Sequence, residues 1–216
     1  TANVGFTTTQ PFDEVRISYQ TLLGVLYTAN VYHVVLKNYC AGATPVCNTI
    51  TRLSGSAYPA AIVPNHTVLT GVTLGSILDA ENVVSNSNTD SARINLPLGI
   101  VASGSIAVKD VFTIYPAGYF AGFEVSNSNL LGVGVLNNTT IRTYLNGVLQ
   151  ETKSANALTL DVNLLDGSGR QTVGFVATLP FNEVQFTINQ TLGLNVGVTN
   201  VFNAVMKRHC AGPALA

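Results

Sequence analysis

The most regular feature of the chain is a set of short segments in which apolar and polar residues alternate, separated by clusters of Gly, Asn, Asp and Ser. A period of two places every second side chain on the same face of an extended strand. The pattern predicts strands at 14–19, 105–111, 120–125 and 183–188, and the Val- and Tyr-rich segment 29–37 is also interpreted as a strand. Because no sustained helical pattern with caps is present, we expect an all-β protein, an antiparallel β-sandwich with almost no helix.

A β-hairpin is the most specific local signal. Residues 139–145 and 148–151 alternate on either side of Asn146-Gly147, a dipeptide that supplies the two positive φ values of a type I′ turn. The sequence Asp-Gly-Ser-Gly at 166–169 predicts another tight connection. Alternation also assigns side chains to the faces of their strands, without fixing which face is inward: Val15, Ile17, Ile141, Thr143, Leu145, Val184 and Phe186.

Two segments near opposite ends of the chain, residues 4–42 and 173–212, share a long sequence match. With one residue inserted near Asn189, about half of the positions are identical. Identical positions in the first segment include Val4, Gly5, Phe6, Thr9, Pro11, Phe12, Glu14, Val15, Asn30, Val31, Lys37, Cys40, Ala41 and Gly42. Their matches are Val173, Gly174, Phe175, Thr178, Pro180, Phe181, Glu183, Val184, Asn200, Val201, Lys207, Cys210, Ala211 and Gly212. The period, 210 minus 40 or about 170 residues, is that of one ordinary domain, so the match predicts tandem repeats.

The repeat divides the chain into three expected parts. Residues 1–42 are the C-terminal strands of a preceding repeat, residues 43–212 are one full repeat, and residues 213–216 start the next junction. Two or three strands cannot bury their apolar faces alone. Residues 1–42 are therefore covered either by residues 43–172 of the same chain or by a neighbouring molecule or repeat, as in donor-strand assembly. We favour the second arrangement, in which head-to-tail exchange yields an open filament.

Charge and hydropathy exclude several classes of partner. Charged residues make up 10% of the chain and the net charge is −1, so no electrostatic footprint for nucleic acid or an anionic membrane is present. No apolar run approaches the 18 or so residues that a membrane span requires. The expected partners are copies of the chain itself or neighbouring repeats, with surface glycans as a further class, and no cofactor is expected.

Three cysteines bear on the cellular compartment. Cys40 and Cys47 flank the hexapeptide Ala-Gly-Ala-Thr-Pro-Val, which can close a small loop, and we expect them to form a disulfide at the repeat junction. Cys210 is then expected to pair with a following unit, since its partner would fall at position 217. The alternative is a pair of reduced, buried cysteines. A disulfide implies an oxidising compartment and an extracellular or cell-surface protein.

No residue pattern indicates catalysis, and the chain is not expected to be an enzyme. His33 and His209 match Asn203 and Tyr39 in the other copy of the repeat, and His66 lies in a separate loop. Glu14 and Glu183 recur beside other polar residues and could act as acid–base groups. We favour the interpretation that each holds a loop through backbone N–H groups.

One polar loop contains candidate metal ligands. Asp79, Glu81 and Asp90 supply the carboxylate oxygens that Ca²⁺ prefers, although the residues between them are mostly neutral. They are calcium candidates in a loop of the predicted sandwich.

Several longer motifs resemble repeat units of very large secreted surface proteins of Bacteroidota. These motifs are Tyr-Pro-Ala-Gly-Tyr-Phe-Ala-Gly-Phe at 115–123, Thr-Tyr-Leu-Asn-Gly at 143–147, Gly-Ser-Gly-Arg-Gln-Thr-Val-Gly-Phe at 167–175 and Pro-Phe-Asn-Glu-Val at 180–184. The resemblance implies an adhesin or surface fibre exported by type IX secretion, without assigned chemistry. It also makes Ser91, in Asp90-Ser91-Ala92, a candidate for O-linked glycosylation. Separately, the order of strands over about 80–190 resembles a discoidin-like, galactose-binding jelly roll.

Two functions follow as hypotheses. The first is a structural repeat module of a secreted cell-surface fibre or adhesin stalk, assembled by strand exchange between units. The second is a carbohydrate-binding module presented many times for avidity. A glycan site would need exposed aromatic rings, and Tyr115, Tyr119 and Phe120 form the densest aromatic group, with Phe120 expected to point inward.

Overall fold

The computed structural model describes residues 4–6, 8–18, 30–54, 58–71, 75–98, 101–130, 133–162 and 169–211. The chain divides into two compact units, Thr1–Asn38 and Tyr39–Ala216. Within these described ranges, no helix is long and apolar enough to cross a membrane.

The described part of the first unit contains neither helix nor strand. The strands predicted at 14–19 and 29–37 are therefore absent at 14–18 and 30–37, while Tyr19 and Ala29 lie outside the described residues. A strand is stable only when a neighbouring strand satisfies its backbone N–H and C=O groups. These residues have the strand sequence but have no partner strand in the described part of the chain.

In the described part of the second unit, nearly all the regular elements are strands. The described strands, in chain order, are β1 (Ile50–Arg52), β2 (Ala60–Ile62), β3 (Leu69–Gly71), β4 (Ser76–Leu78), β5 (Ala92–Leu96), β6 (Ala102–Asp110), β7 (Tyr119–Asn127), β8 (Thr139–Leu145), β9 (Val148–Ser154), β10 (Thr159–Val162), β11 (Gln171–Val176), β12 (Glu183–Gln190) and β13 (Gly197–Arg208). One short α-helix, α1 (Val133–Asn138), and 3₁₀ turns at Pro64–His66, Ala80–Val84 and Ala155–Ala157 complete the described elements.

The strands form two antiparallel sheets. The first sheet has the order β10-β11-β7-β13-β5-β4, with β1 also paired to β13, and the second has the order β2-β6-β12-β8-β9, with β3 also paired to β6. The chain passes from one sheet to the other between β5, β6, β7 and β8, and its last two strands insert between earlier ones. β12 lies between β6 and β8, and β13 lies between β5 and β7. This interleaving of strands between two antiparallel sheets is the jelly-roll arrangement, so the predicted all-β sandwich is confirmed.

The Asn-Gly hairpin forms as predicted. β8 and β9 pair antiparallel, and Asn146 and Gly147 have φ values of 51° and 82°. Both central residues therefore adopt the positive φ of a type I′ turn, whose twist matches that of the flanking strands. The predicted turn at 166–169 lies outside the described residues except at Gly169, which has a φ of 65°.

The core lies between the two sheets and is apolar. Val184 and Phe186 of β12 and Ile141 of β8 are fully buried, as the alternation requires for one face of each strand. The ring of Phe186 meets that of Phe123 on β7, with centroids 5.8 Å apart, which joins the second sheet to the first. Burying each such ring contributes roughly 1.5–3 kcal/mol to folding.

A disulfide joins Cys47 to Cys210, and Cys40 is an exposed free thiol. The expected Cys40–Cys47 bond, and the expected pairing of Cys210 with a following unit, are therefore wrong. The physical reason is the antiparallel pairing of β1 with the end of β13, which brings the two cysteines to a Cα–Cα distance of 5.5 Å. A bond across 163 residues also restricts the unfolded chain more than a short loop does, by about 5 kcal/mol in the chain-entropy model against about 2 kcal/mol.

Candidate functional site

The outer face of the second sheet is polar, and we call it the polar face. On β12, Val184, Phe186 and Ile188 enter the core, so Glu183, Gln185, Thr187 and Asn189 lie on the opposite face. The strand register places polar neighbours beside them on β6 and β8: Ser103, Ser105, Lys109, Thr140, Arg142 and Tyr144. Lateral hydrogen bonds connect the strands, including a 2.9 Å contact between the hydroxyls of Ser105 and Thr187.

The loop 63–68 covers one end of the polar face through His66. The imidazole stacks on the ring of Tyr144, with centroids 4.3 Å apart and an interplanar angle of 24°. Its Nδ1 is paired with the carboxylate of Glu183. The side-chain nitrogen of Gln185 donates to the carbonyl oxygen of His66 over 2.8 Å, and the Tyr144 hydroxyl donates to Gln185 Oε1 over 2.9 Å.

This cluster gives His66 and Glu183 a structural role. Glu183 is 1% exposed, and a carboxylate buried to that extent needs a hydrogen-bonded partner. Glu183 does hold a loop, as expected, but through an imidazole side chain rather than backbone N–H groups. Burial raises the pKa of Tyr144; Arg142 opposes this effect and Glu183 adds to it.

The rest of the polar face is more open. Arg142 is half-buried, and its guanidinium lies 3.3 Å from Thr187 Oγ1 and 3.4 Å from Gln185 Oε1. At the far end, a pocket of about 270 Å³ is lined by Gly71, Val101 and Ala102 as well as by the polar residues Thr70, Ser103, Asn189, Gln190 and Thr191. Hydroxyl, amide and guanidinium groups of this kind form hydrogen bonds with a hydroxyl-rich ligand.

The predicted aromatic group does not form a stacking platform. Tyr115 is fully buried, stacks on Phe181 at 5.5 Å, and donates from its hydroxyl to Asp110 over 2.7 Å. Burial, together with the charge of Asp110 and this hydrogen bond, raises the pKa of Tyr115 well above its ordinary value. Asp110 also accepts from the backbone N–H groups of Phe112 and Thr113, so it ties down the loop after β6.

The expected inward orientation of Phe120 is wrong. Ala121 and Phe123 of β7 are fully buried in the core, so Phe120 lies on the opposite face of the first sheet. Its ring lies close over Gly122 and Gly174 of the neighbouring strand, where a Cβ added to Gly174 would come within 2.6 Å of the ring. The ring therefore covers a glycine pair and packs on its own sheet.

The three calcium candidates are not brought together. Asp79 is paired with Arg93 at 2.9 Å, and Asp90 accepts a hydrogen bond from the Ser85 hydroxyl at 2.9 Å. Among the described residues, no group of three or more His, Cys, Asp or Glu side chains could hold a metal ion, so Glu81 gains no partner ligands. Ser91, the glycosylation candidate, is half-buried beside this loop and remains a prediction.

Sequence reasoning missed the His66–Glu183 pair and the polar face. His66 and Glu183 are 117 residues apart, and only the strand order brings the loop before β3 onto β12. The one available signal was the run of polar residues at every second position of 183–189, which indicates a polar face without showing what lies on it.

Comparisons with known proteins give distant matches. No protein-family model and no curated protein matches the chain. The family 32 CBM from C. perfringens NanJ, solved in complex with galactose, aligns with 14% identity and a TM-score of 0.36 over 68% of this chain and 99% of that one. CBM32-3 from a family 31 glycoside hydrolase of Clostridium perfringens has 17% identity and a TM-score of 0.34, over 65% and 90% of the two chains. The xylan-binding module CBM15 has 12% identity and a TM-score of 0.31, over 71% and 99%.

Proposed function

We propose that the chain is a structural repeat module of a secreted cell-surface fibre or adhesin stalk. The observation that carries this proposal is the recurrence of the sequence of β11, β12 and β13 near the start of the chain, about 170 residues earlier. The recurring segment contains the strands that close the sandwich, and a closing segment followed by a whole sandwich is the pattern of a tandem array. The module then consists of residues 43–212, preceded by the closing strands at 1–42 and followed by a junction at 213–216.

Two further observations support a secreted, non-catalytic role. The disulfide between Cys47 and Cys210 is stable in an oxidising compartment. Within the described residues, His66 pairs with Glu183, stacks on Tyr144 and accepts a hydrogen bond from Gln185, and these contacts fix the loop in place. The motifs at 115–123 and 180–184 that resemble Bacteroidota surface repeats are consistent with this role.

Protease treatment of intact cells tests the proposal. Antibodies against residues 43–212 should detect a polypeptide much larger than this chain, and treatment with an external protease should remove it from intact cells. A cytoplasmic marker protein serves as the control for cell integrity. Detection of the antigen only after cell lysis would count against a surface location, and a polypeptide containing a single sandwich would count against a repeat array.

A second candidate function, carbohydrate binding, is favoured by the polar face and its pocket. The surface at Thr70, Ser103, Asn189 and Arg142 carries hydroxyl, amide and guanidinium groups, the kinds that bind sugar hydroxyls, although here Thr70 bonds to Ser103 and Arg142 to Thr187. Weak sites of this kind gain strength when repeats present many copies. The two functions are compatible, because an adhesin stalk can carry a binding face on each unit.

A glycan array tests the second candidate. If the polar face binds sugars, Asn189→Ala and Arg142→Ala should each reduce the signal at least about tenfold, the effect of losing one or two hydrogen bonds. Ser126→Ala, on β7 in the other sheet, is the matched control and should leave the signal unchanged. A blank array with the folded wild-type chain would remove carbohydrate binding from consideration, and an equal loss in the control would show that the polar face is not the binding site.

A further inference from the structure

About half of the residues in the segment 4–42 are identical to those of 173–212, yet its matched apolar side chains are exposed where the structure describes them. Phe12 is 52% exposed, whereas its match Phe181 is fully buried. Leu36 is 74% exposed, whereas its match Met206 is fully buried. The same contrast holds at Val4, Phe6, Val15, Val31 and Val34, whose matches in the second unit are Val173, Phe175, Val184, Val201 and Ala204. These apolar side chains therefore have the sequence pattern of a sandwich core, but they are exposed.

Gly5 shows that the match includes steric fit as well as hydrophobicity. Its counterpart Gly174 lies where a Cβ would meet the carbonyl oxygen of Ala121 at 2.2 Å and the Phe120 ring at 2.6 Å, so only glycine fits. A Cβ built on Gly5 meets nothing within 4 Å among the described residues. A glycine at position 5 is what strand pairing against a surface like that of β7 would require.

Cys40 repeats the contrast at the end of the segment. Its counterpart Cys210 is bonded to Cys47, which precedes the first strand of the sandwich, whereas Cys40 is a free thiol. The Cys47–Cys210 bond thus joins the first and last strands of one sandwich. The same relation would pair Cys40 with the Cys47 of a sandwich that residues 4–42 close.

We propose that residues 4–42 are the closing strands of a second copy of this sandwich, in which they take the places that β11, β12 and β13 occupy here. This inference rests on the repeat function proposed above. In this chain those three places are filled by its own residues 171–208, so the partner is another copy. Residues 4–42 supply the core side chains that this copy needs, and Cys40 forms a disulfide with its Cys47.

The disulfide step needs an oxidant. The Cys40 and Cys47 thiols lose two protons and two electrons as the S–S bond forms. The acceptor is the disulfide of a thiol–disulfide oxidoreductase, which is reduced to a dithiol. Strand docking precedes this step, because it brings the two sulfurs together as the pairing of β1 with β13 does here.

A fusion protein tests the proposal with the full chain present. Residues 43–169 are placed directly before residue 1, so that residues 1–3 take the places of 170–172 and residues 4–42 follow in register. We expect Cys40 to change from reactive to unreactive toward iodoacetamide. A tryptic digest without reduction should contain residues 43–52 of the added copy linked to residues 38–52. Amide exchange at 14–18 should slow by about a hundredfold or more relative to the unfused chain, as expected when strands become paired.

A second fusion carrying Gly5→Val and Phe12→Asp is the matched control. Both substitutions lie outside the second sandwich, so the Cys47–Cys210 bond should form as before while Cys40 becomes reactive again. A reactive Cys40 and fast exchange at 14–18 in the unmodified fusion would overturn strand completion. That result would leave the proposed function standing if the protein is still displayed on cells as a repeat array. Conversely, if external protease fails to remove the protein from intact cells, that result counts against the proposed function and leaves the outcome of the fusion experiment unchanged.

Discussion

At the residue scale, the His66–Glu183 pair is one of the contacts that hold the loop 63–68 on the polar face. We expect a double-mutant cycle with His66→Ala and Glu183→Gln to give a coupling free energy of about 0.5–3 kcal/mol, because His66→Ala leaves the buried Glu183 carboxylate without this partner and Glu183→Gln removes the charge that the imidazole meets. Urea unfolding of the four proteins measures it. The exposed pair Asp79–Arg93 is the control and should couple by less than about 1 kcal/mol. Equal coupling in both cycles would contradict the structural role of His66.

Tyr115 should make the protein sensitive to alkali. Burial and the Asp110 hydrogen bond raise the pKa of Tyr115 above its ordinary value of about 10. Its contribution to stability is therefore complete below pH 10. It is lost as pH rises above 10, because the unfolded chain releases the proton and the folded chain does not. The expected loss is about 1.4 kcal/mol per pH unit.

Tyr115→Phe isolates this effect. The variant should be less stable than the wild type at pH 8, because the Asp110 carboxylate loses a donor, but its free energy of unfolding should fall less steeply between pH 10 and 11.5. Urea unfolding at each pH gives both slopes. Identical slopes for the two proteins would show that the Tyr115 phenol ionises equally well in the folded state.

At the scale of elements, Gly174 fixes how closely β11 approaches β7. Gly174→Ala should destabilise the protein by roughly 1–3 kcal/mol, since its Cβ would overlap the Ala121 carbonyl oxygen. The matched change Gly5→Ala should alter the free energy of unfolding by less than about 0.5 kcal/mol. Thermal unfolding followed by circular dichroism compares the two. A similar loss of stability in both variants would mean that residues 4–6 are also packed.

A strand could be predicted from the sequence where alternation was accompanied by a local turn that also identified the partner strand. The hairpin of β8 and β9 was predictable because Asn146-Gly147 fixes both its turn and its register. Residues 14–18 have the same alternation as β12, yet they are not a strand here. Alternation indicates which side chains of a strand would share a face. Whether the strand forms depends on the presence of neighbouring strands.

At the scale of the whole molecule, the Cys47–Cys210 disulfide should contribute more to stability than any single core side chain. We expect Cys47→Ala, with Cys40 also replaced by Ala to prevent new pairing, to lose up to about 5 kcal/mol. Cys40→Ala alone should leave the free energy of unfolding unchanged within about 0.5 kcal/mol. Guanidinium unfolding measures both. A large loss in Cys40→Ala would indicate that Cys40 takes part in the fold of the isolated chain.

Contacts between distant parts of the sequence were the least predictable. The Cys40–Cys47 bond was expected from proximity along the chain, but the strand order places Cys210 beside Cys47. In the same way, the polar face gathers residues from β6, β8 and β12, and sequence spacing contains no information about that order. The aromatic group at 115–120 was identified as a cluster from the sequence. Its exposure could not be predicted, because Tyr115 is held inside by its hydrogen bond to Asp110 and Phe120 packs over the pair Gly122 and Gly174.

The bond between Cys47 and Cys210 also decides how a fibre of such units would bear tension. A pull applied at the two ends of one sandwich passes through the sulfur–sulfur link, whose Cα atoms are 5.5 Å apart, and bypasses both sheets. If Cys40 is bonded as proposed, the covalent thread between successive links is the seven-residue step from 40 to 47, about 24 Å when extended. Stretching single molecules would reveal sandwich unfolding only after reduction; unfolding under oxidising conditions would contradict this. The load would then pass along a nearly inextensible covalent path, and the folded sandwiches attached to that path would carry none of it.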